Sequence, residues 1–515
     1  MGQPASPLRP GTGGATPFSR AGGPTPARAD PDCGPAPTAL PRSAPGPGRG
    51  GDALISARPL SSWAGPAIRA RPLSRRSPLS RRFSTINRPL LSADDLAGDL
   101  RRTTLPGGLR VVSERLSHTA AFNLGFFVGV GSRRETQALH GASHMLEHVL
   151  FKGTPRLSAE EISASIEGVG GDLNAYTAKE HTCFYARLLA EEADRAVGVM
   201  SDMLAYSLIR PEHFASERTV VLEEIAMGND DPGDVAHDLS ARRLYGRSGL
   251  AKPVIGSVES IRAMDRDAVV EYWLAQYRAD DIVVSASGAV DHDRLLEQLA
   301  TLDEALAQRQ APALSAEGEA AAVADPGVVV QTRDFEQLEA VMSWPGLALL
   351  DPRRAALDVL ATVLGGGMSA RLFVEVRERR GLTYSIDASE IAYTDAGQVS
   401  IEWACAPERL QQIVDVVRAV LDDVLAHGIT GTELAQAKGQ IRGQTLLGLE
   451  SPAAHMSRNG RTVLQDDPRT VGEMLAAVEA VTLEDVHVLA RELFTVEPTL
   501  AVVGPWDEDR TVSLG

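Results

Sequence analysis

Cysteine is scarce in this chain of 515 residues: Cys33, Cys183 and Cys405 are the only three, and they lie far apart. That excludes a disulfide framework and a cysteine metal site, and it fits a reducing compartment. Any metal must be held by imidazoles and carboxylates. No run of 18 or more apolar residues occurs, so no segment reads as a membrane-spanning helix. Nor does a basic start lead into an apolar core and a small-residue cleavage site, so the chain does not read as secreted. Residues 1–90 contain no lysine, and no methionine lies between Met1 and Met145.

What is present is unevenly distributed. The net charge is −17, yet residues 1–90 hold thirteen Arg against only Asp30, Asp32 and Asp52, so they carry +10 and the remainder −27. An acidic body argues against nucleic acid and suits cationic partners. The same stretch takes 17 of the 31 Pro and shows almost no aliphatic periodicity. It will not pack a core, so residues 1–95 are read as a disordered leader. Its Arg-rich, acid-poor composition, with Arg81-Arg82-Phe83-Ser84, resembles a mitochondrial transit peptide. The alternative, preferred here, is sequence upstream of the true start of a GC-rich bacterial gene. The expected compartment is then the bacterial cytoplasm, with the mitochondrial matrix as the alternative.

From Thr103 the texture changes. TTLPGGLRVVSE reads as a hairpin turning at Gly107-Gly108, and AAFNLGFFVGVGS as a long buried strand. Ser158 can cap a helix that opens with acids and closes on Gly170-Gly171, and Pro211 opens another that stops before Pro232. This succession is α+β, a mostly antiparallel sheet backed by helices, over a first domain of residues 96–310. Residues 311–325, acidic and alanine-rich, read as a linker. Residues 326–515 repeat the order as a second, homologous domain. A shift of 220 residues lays Pro232 on Pro452, His144 on Leu364, Glu147 on Gly367, His148 on Met368 and Glu224 on Gln444. The second domain therefore keeps the scaffold and lacks the polar set.

That polar set begins in GASHMLEHVLFKGT. At about 100° per residue, His144 and His148 share one helix face with Glu147 beside them. Two imidazoles can bind zinc while the glutamate acts as base toward a water the metal activates. The order His-x-x-Glu-His is the inverse of the commoner zinc-protease helix. Catalytic zinc usually takes three protein ligands, so a third is required. In ERTVVLEEIAMGNDDP, Glu217 and Glu224 are seven apart and nearly in line on one helix face, whose apolar residues are Val220, Val221 and Ile225.

The motif, followed by Glu224 at 76 positions after His148, resembles the pitrilysin or insulinase family of zinc peptidases over residues 100–515. The resemblance is greatest to the branch containing the mitochondrial processing peptidase β subunit and its single-chain bacterial relatives. It implies one zinc ion per chain, held by His144, His148 and Glu224, with Glu147 as general base and Glu217 supporting the site from outside. LNAYTAKEHTCFYA resembles the family's edge strand, which implies that Asn174 and Ala175 bind an extended peptide. In RERRGLTY, Arg377 and Tyr384 match a pair that family members bring to the active site from the inactive domain, where they stabilise an oxyanion. Asp234 and Asp238 fall where the processing peptidase contacts substrate arginine; an Asp-rich exposed loop is the plain alternative. His140 lacks a family counterpart and is set aside. The implied protein is a zinc endopeptidase for short or unfolded peptides, presequence-like basic ones among them, working as a homodimer. A heterodimer with an inactive relative and a non-catalytic subunit of the bc1 core type are the alternatives.

Overall fold

The computed structural model describes residues 98–309, 320–507 and 510–514, which belong to one compact unit. The leader expected over residues 1–95 and most of the linker lie outside them. Residues 320–326 form no helix or strand.

The first half opens with strands β1 (Asp99–Thr104) and β2 (Arg110–Arg115), paired antiparallel around the Gly107-Gly108 turn as the sequence predicts. Strand β3 (Ala121–Val128), helix α1 (Ala142–Val149) and helix α2 (Ala159–Glu167) follow. Ser158 caps α2 in a reciprocal box, its side chain accepting from Glu161 N while the Glu161 carboxylate takes Ser158 N. Next come β4 (Asp172–Thr177), β5 (Thr182–Leu189), α3 (Ala193–Tyr206) and α4 (Pro211–Asn229). Proline at its first position opens α4, where its missing N–H costs nothing. The half ends with α5 (Pro232–Tyr245), α6 (Val258–Ala263), α7 (Arg266–Gln276), β6 (Ile282–Gly288) and α8 (His292–Ala307).

The second half repeats the plan with β7 (Gly327–Thr332), β8 (Leu338–Pro345), α9 (Arg354–Gly365) and a π-helical turn at Phe373–Glu378. Strands β9 (Ile386–Ala392) and β10 (Gly397–Cys405) precede helices α10 (Leu410–His427), α11 (Gly431–Gly448) and α12 (Pro452–Leu464). Helices α13 (Val471–Ala480) and α14 (Leu483–Phe494) and strand β11 (Thr499–Gly504) complete it. The sheet orders are β1-β2-β6-β3-β5-β4 and β7-β11-β8-β10-β9, so the second sheet matches the first from β2 onward and has no counterpart of β1. In each sheet one neighbouring pair is parallel, β2 with β6 and β7 with β11, and the rest are antiparallel.

The 220-residue shift holds for the helices, since α4 and α11 begin at Pro211 and Gly431 and α5 and α12 at Pro232 and Pro452. Strands run at 217, as Ala121 to Leu338 and Ile282 to Thr499 show. At that offset the positions of His144, Glu147 and His148 fall on Ala361, Leu364 and Gly365, so the second half lacks the polar set at either offset.

Each half's own helices cover one face of its sheet and bury its large core. The other face is covered by a helix from the opposite half. Helix α12 packs Met456 against Val112, Phe127, Cys183 and Val283 of the first sheet. Gly460 makes this approach possible, because a Cβ there would collide with the Phe127 ring. In return α5 packs Val235 and Ala236 against Val341 and Val503 of the second sheet. The sequence reading places no helix after Pro232, and α5 is the element that makes this exchange.

A buried charge pair pins α12 to the first sheet. His455 Nδ1 meets Glu114 Oε2 at 2.8 Å and its Nε2 meets Leu449 O at 2.7 Å. Both ring nitrogens face acceptors, so the ring carries two protons and a charge. Burial pushes the His455 pKa down, but Glu114 outweighs it and raises it overall. Burial pushes Glu114 up, and His455, Gly98 N and Asn459 together hold it below its ordinary value. The histidine's contribution is complete below about pH 6.5 and fades as pH rises through its folded pKa; the glutamate's is complete above about pH 4.3 and fades as pH falls. A His455→Ala variant, which leaves Glu114 buried and unpaired, should lose about 3–5 kcal/mol. Chemical denaturation across pH should show the gap widest at roughly pH 5–6 and narrowing toward pH 9.

Candidate metal centre

Helix α1 lies inside the first half, with Ala142, Ser143, His144, Met145, Leu146 and Val149 all buried. Glu147 and His148 are half-buried on the same helix. Helix α4 crosses it and presents Glu217 and Glu224. The in-line pair of carboxylates expected on α4 is present, with Val221 and Ile225 buried behind it. Val220 is not part of that apolar face and is exposed, because the helix turns it away from the core.

His144, His148 and Glu224 each offer one ligand atom, and these atoms lie within 4.8 Å of one another. Glu224 Oε2 is 3.7 Å from His144 Nε2 and 3.4 Å from His148 Nε2. The two rings meet edge to face with centroids 4.7 Å apart. Burial, aided by the neighbouring His148, pushes the His144 pKa down to about 4, so at neutral pH the ring offers a lone pair. Burial also pushes His148 down, but Glu224 and Glu217 outweigh it and raise its pKa. The Nδ1 of His144 is buried with no hydrogen-bond partner among the described residues. A neutral ring whose Nε2 faces a carboxylate oxygen across 3.7 Å suits a metal ligand better than a core hydrogen bond. The two imidazoles and one carboxylate fit zinc, which accepts three such ligands at about 2.0–2.2 Å and keeps a position open.

Around this trio the remaining groups are ordered. Glu217 is buried; its Oε2 lies 3.2 Å from His148 Nδ1 and its Oε1 2.8 Å from Lys152 Nζ. That leaves His148 Nε2 for the metal. Glu147 accepts from the Thr177 hydroxyl at 2.6 Å, and burial pushes its carboxyl up despite that bond. Lys152 and Thr177 were not singled out by sequence. Lys152 sits four residues past His148 but beyond the end of α1, and Thr177 shares the β4 face of Ala175, a signal visible only once Glu147 is known to lie beneath that strand.

Strand β4 is at the end of its sheet and pairs only with β5 among the described residues. Asn174 is exposed there, with its side-chain Oδ1 accepting from Ala175 N at 2.8 Å. The Arg377 guanidinium, in the π-helical turn, stacks on Phe373 and on Tyr384 at 4.6 and 4.8 Å from the ring centroids. Tyr384 is 83% exposed, and neither residue bonds to any member of the metal cluster. Asp234 and Asp238 are half-buried on helix α5, not in an exposed loop. Burial pushes Asp238 up against the charges of Lys179 and Arg242. His140 turns away, its Nε2 2.8 Å from Pro253 O.

Two like halves, one carrying an inverted His-x-x-Glu-His helix completed by a glutamate from a second helix, define a two-domain metallopeptidase. The chain belongs to the insulinase family, peptidase family M16: residues 110–258 match that family and residues 263–441 match its inactive domain. An uncharacterized zinc protease of Streptomyces coelicolor is 42% identical over 424 residues, covering 81% of this chain and 92% of its own. The zinc protease YmxG of Bacillus subtilis is 35% identical over 411 residues, covering 79% and 98%. Two solved structures share the fold at 21% identity. One, described as a peptidase M16 inactive domain from Pseudomonas fluorescens, has a TM-score of 0.73 and covers 81% of this chain and 100% of its own. The other, a protease from Helicobacter pylori, has a TM-score of 0.72 and covers 79% and 100%.

Replacing Glu217 with Gln removes the charge that orients His148 without touching a ligand. Chelator competition should show zinc held about 10- to 100-fold more weakly than by the parent protein. Glu224→Gln, which alters a ligand, should lower zinc stoichiometry outright in metal analysis.

Proposed function

We propose that this protein is a zinc-dependent endopeptidase acting on short or unfolded peptides. The observation that carries the reading is the convergence of His144, His148 and Glu224 beside a half-buried Glu147. Relatives described as zinc proteases support it. The three ligands would hold one zinc ion per chain. Bound there, zinc supplies a Lewis acid and lowers the pKa of a coordinated water from about 15.7 to about 7.

The chain's own groups do the rest. Glu147 takes the proton of the attacking water and returns it to the leaving amine, and its burial makes it the stronger base. The Thr177 hydroxyl fixes which way that carboxylate points. An extended peptide adds to the unpaired edge of β4, where Asn174 and Ala175 bind its backbone. The −27 carried outside the leader favours peptides with Arg or Lys, and Asp234 and Asp238 are the acids assigned to that recognition.

Arg377 and Tyr384 stabilise the developing oxyanion. Because Tyr384 is 83% exposed, we place them in trans: in a homodimer, the second half of one chain completes the metal site of its partner.

Glu147→Gln should keep its zinc and lose about 10²- to 10⁴-fold in turnover of a basic peptide; cleavage at the parent rate would remove Glu147 as the base. The dimer has its own test. Tyr384→Phe should cost about 10²- to 10³-fold alone. Mixing that variant with Glu147→Gln under subunit exchange should restore about a quarter of parental activity, because half of the re-paired dimers hold one intact site. No recovery would place the tyrosine in cis or outside catalysis.

A further inference from the structure

Helix α1 must be held in place by something other than its own stability. It has eight residues, too few to persist alone in water, and its first N–H groups have no partners within the helix. The residue at its entry, Gly141, is left-handed with φ +94 and has no side chain with which to cap it. A Cβ at that position would press on Ile255 O and Gly256 Cα, so no capping serine or aspartate fits there.

The cap comes from six residues earlier. Glu135, 3% exposed, places Oε2 2.7 Å from Gly141 N and Oε1 2.7 Å from Ser143 N. One carboxylate thus takes the amide on each side of Ala142, and the second of these directly precedes His144. Burial pushes this carboxyl up to about 7, while the two amides favour its charged form, which also answers the positive end of the helix dipole.

Glu135 itself is anchored. Its backbone carbonyl accepts from Lys252 Nζ at 3.0 Å. Two residues before it, Arg133 N bonds to Lys179 O at 2.8 Å, and the Arg133 guanidinium grips Glu180 at 2.6 Å and Asp395 of the second half at 2.7 Å. The β9–β10 turn of the second half adds Thr394 N to the same Glu180 carboxylate. The ligands His144 and His148 ride on α1, whereas Glu224 stands on α4. An axial slip of α1 would therefore move both imidazoles together away from the third ligand.

We propose that Glu135 is the positioning residue of the metal helix, fixing His144 and His148 along the helix axis relative to Glu224 and so setting zinc affinity. This rests on the reading of that trio as the zinc site. Glu135 touches neither metal nor substrate in this account and acts through the backbone of α1.

The test uses the full chain and the near-isosteric Glu135→Gln, whose side chain can accept one of the two amides but turns an NH₂ toward the other. Two measurements are made. Chelator competition should give zinc affinity about 10- to 100-fold below the parent, the range seen when groups behind metal ligands are lost, with KM at saturating zinc unchanged. Hydrogen exchange on the metal-free protein should show Ser143 and its neighbours in α1 losing protection while amides of β3 and α3 keep theirs. Parental zinc affinity and parental exchange in Glu135→Gln would overturn the proposal. Loss of protection spread evenly over the first half would also overturn it, making Glu135 a general stabiliser. If the parent chain bound no zinc, the reading of the trio would fall, while the exchange measurement would still report on the cap.

Discussion

A sheet has two faces, and each half of this protein carries helices of its own for only one of them. Everything else follows from how the second face is covered. By lending α12 to the first sheet and taking α5 in return, the halves become parts of one folded body. Helices α4 and α5 are separated by only two residues, so the loan of α5 also fixes the far end of the helix that carries Glu224. A half that lacks every metal ligand is thereby indispensable to the half that has them. The buried Glu114–His455 pair sits at this exchange, and its charge is tolerable only because both partners are saturated with hydrogen bonds.

The metal centre shows the same economy. The three proposed ligands come from two helices, and the two histidines are tuned by what surrounds them. His148 is held by Glu217, which is held by Lys152; His144 is held neutral by burial, with the neighbouring His148 adding to it. Glu147 shares α1 with the two histidines, yet its fixed point is a strand hydroxyl, Thr177. The base thus takes its bearing from the β4 segment on which an extended peptide would be received. The second half preserves the backbone of all this and replaces the ligands, with Gln444 at the place of Glu224.

Much of this was legible in the chain. His144, Glu147 and His148 could be read because helical periodicity puts near neighbours on one face, and Glu217 and Glu224 because a spacing of seven does the same. The order of strands and helices was legible from alternation, capping residues and prolines. What escaped was of another kind. Thr177, Lys152 and Glu135 matter through contacts between elements that no local period encodes. Helix α5 escaped because it lies between two surfaces, so its buried residues do not form the single apolar stripe that marks a helix. The π-helical turn under Arg377 escaped because a one-residue change of pitch leaves no mark on composition. Val220 was assigned to the core by type, whereas the crossing of α4 over α1 turned it outward.

The exchange of helices also sets an order in time. The first sheet is complete once β6 has been made, at Gly288, but the helix that covers its second face ends at Leu464. At a synthesis rate of about 5–20 residues per second, that face stays bare for roughly 10 to 35 seconds. During the wait Phe127, Cys183 and Val283 are open to any apolar surface nearby, and β4 offers an unpaired edge beside them. The nascent first half thus carries a bare apolar face throughout that interval, and its last missing piece is among the last pieces made.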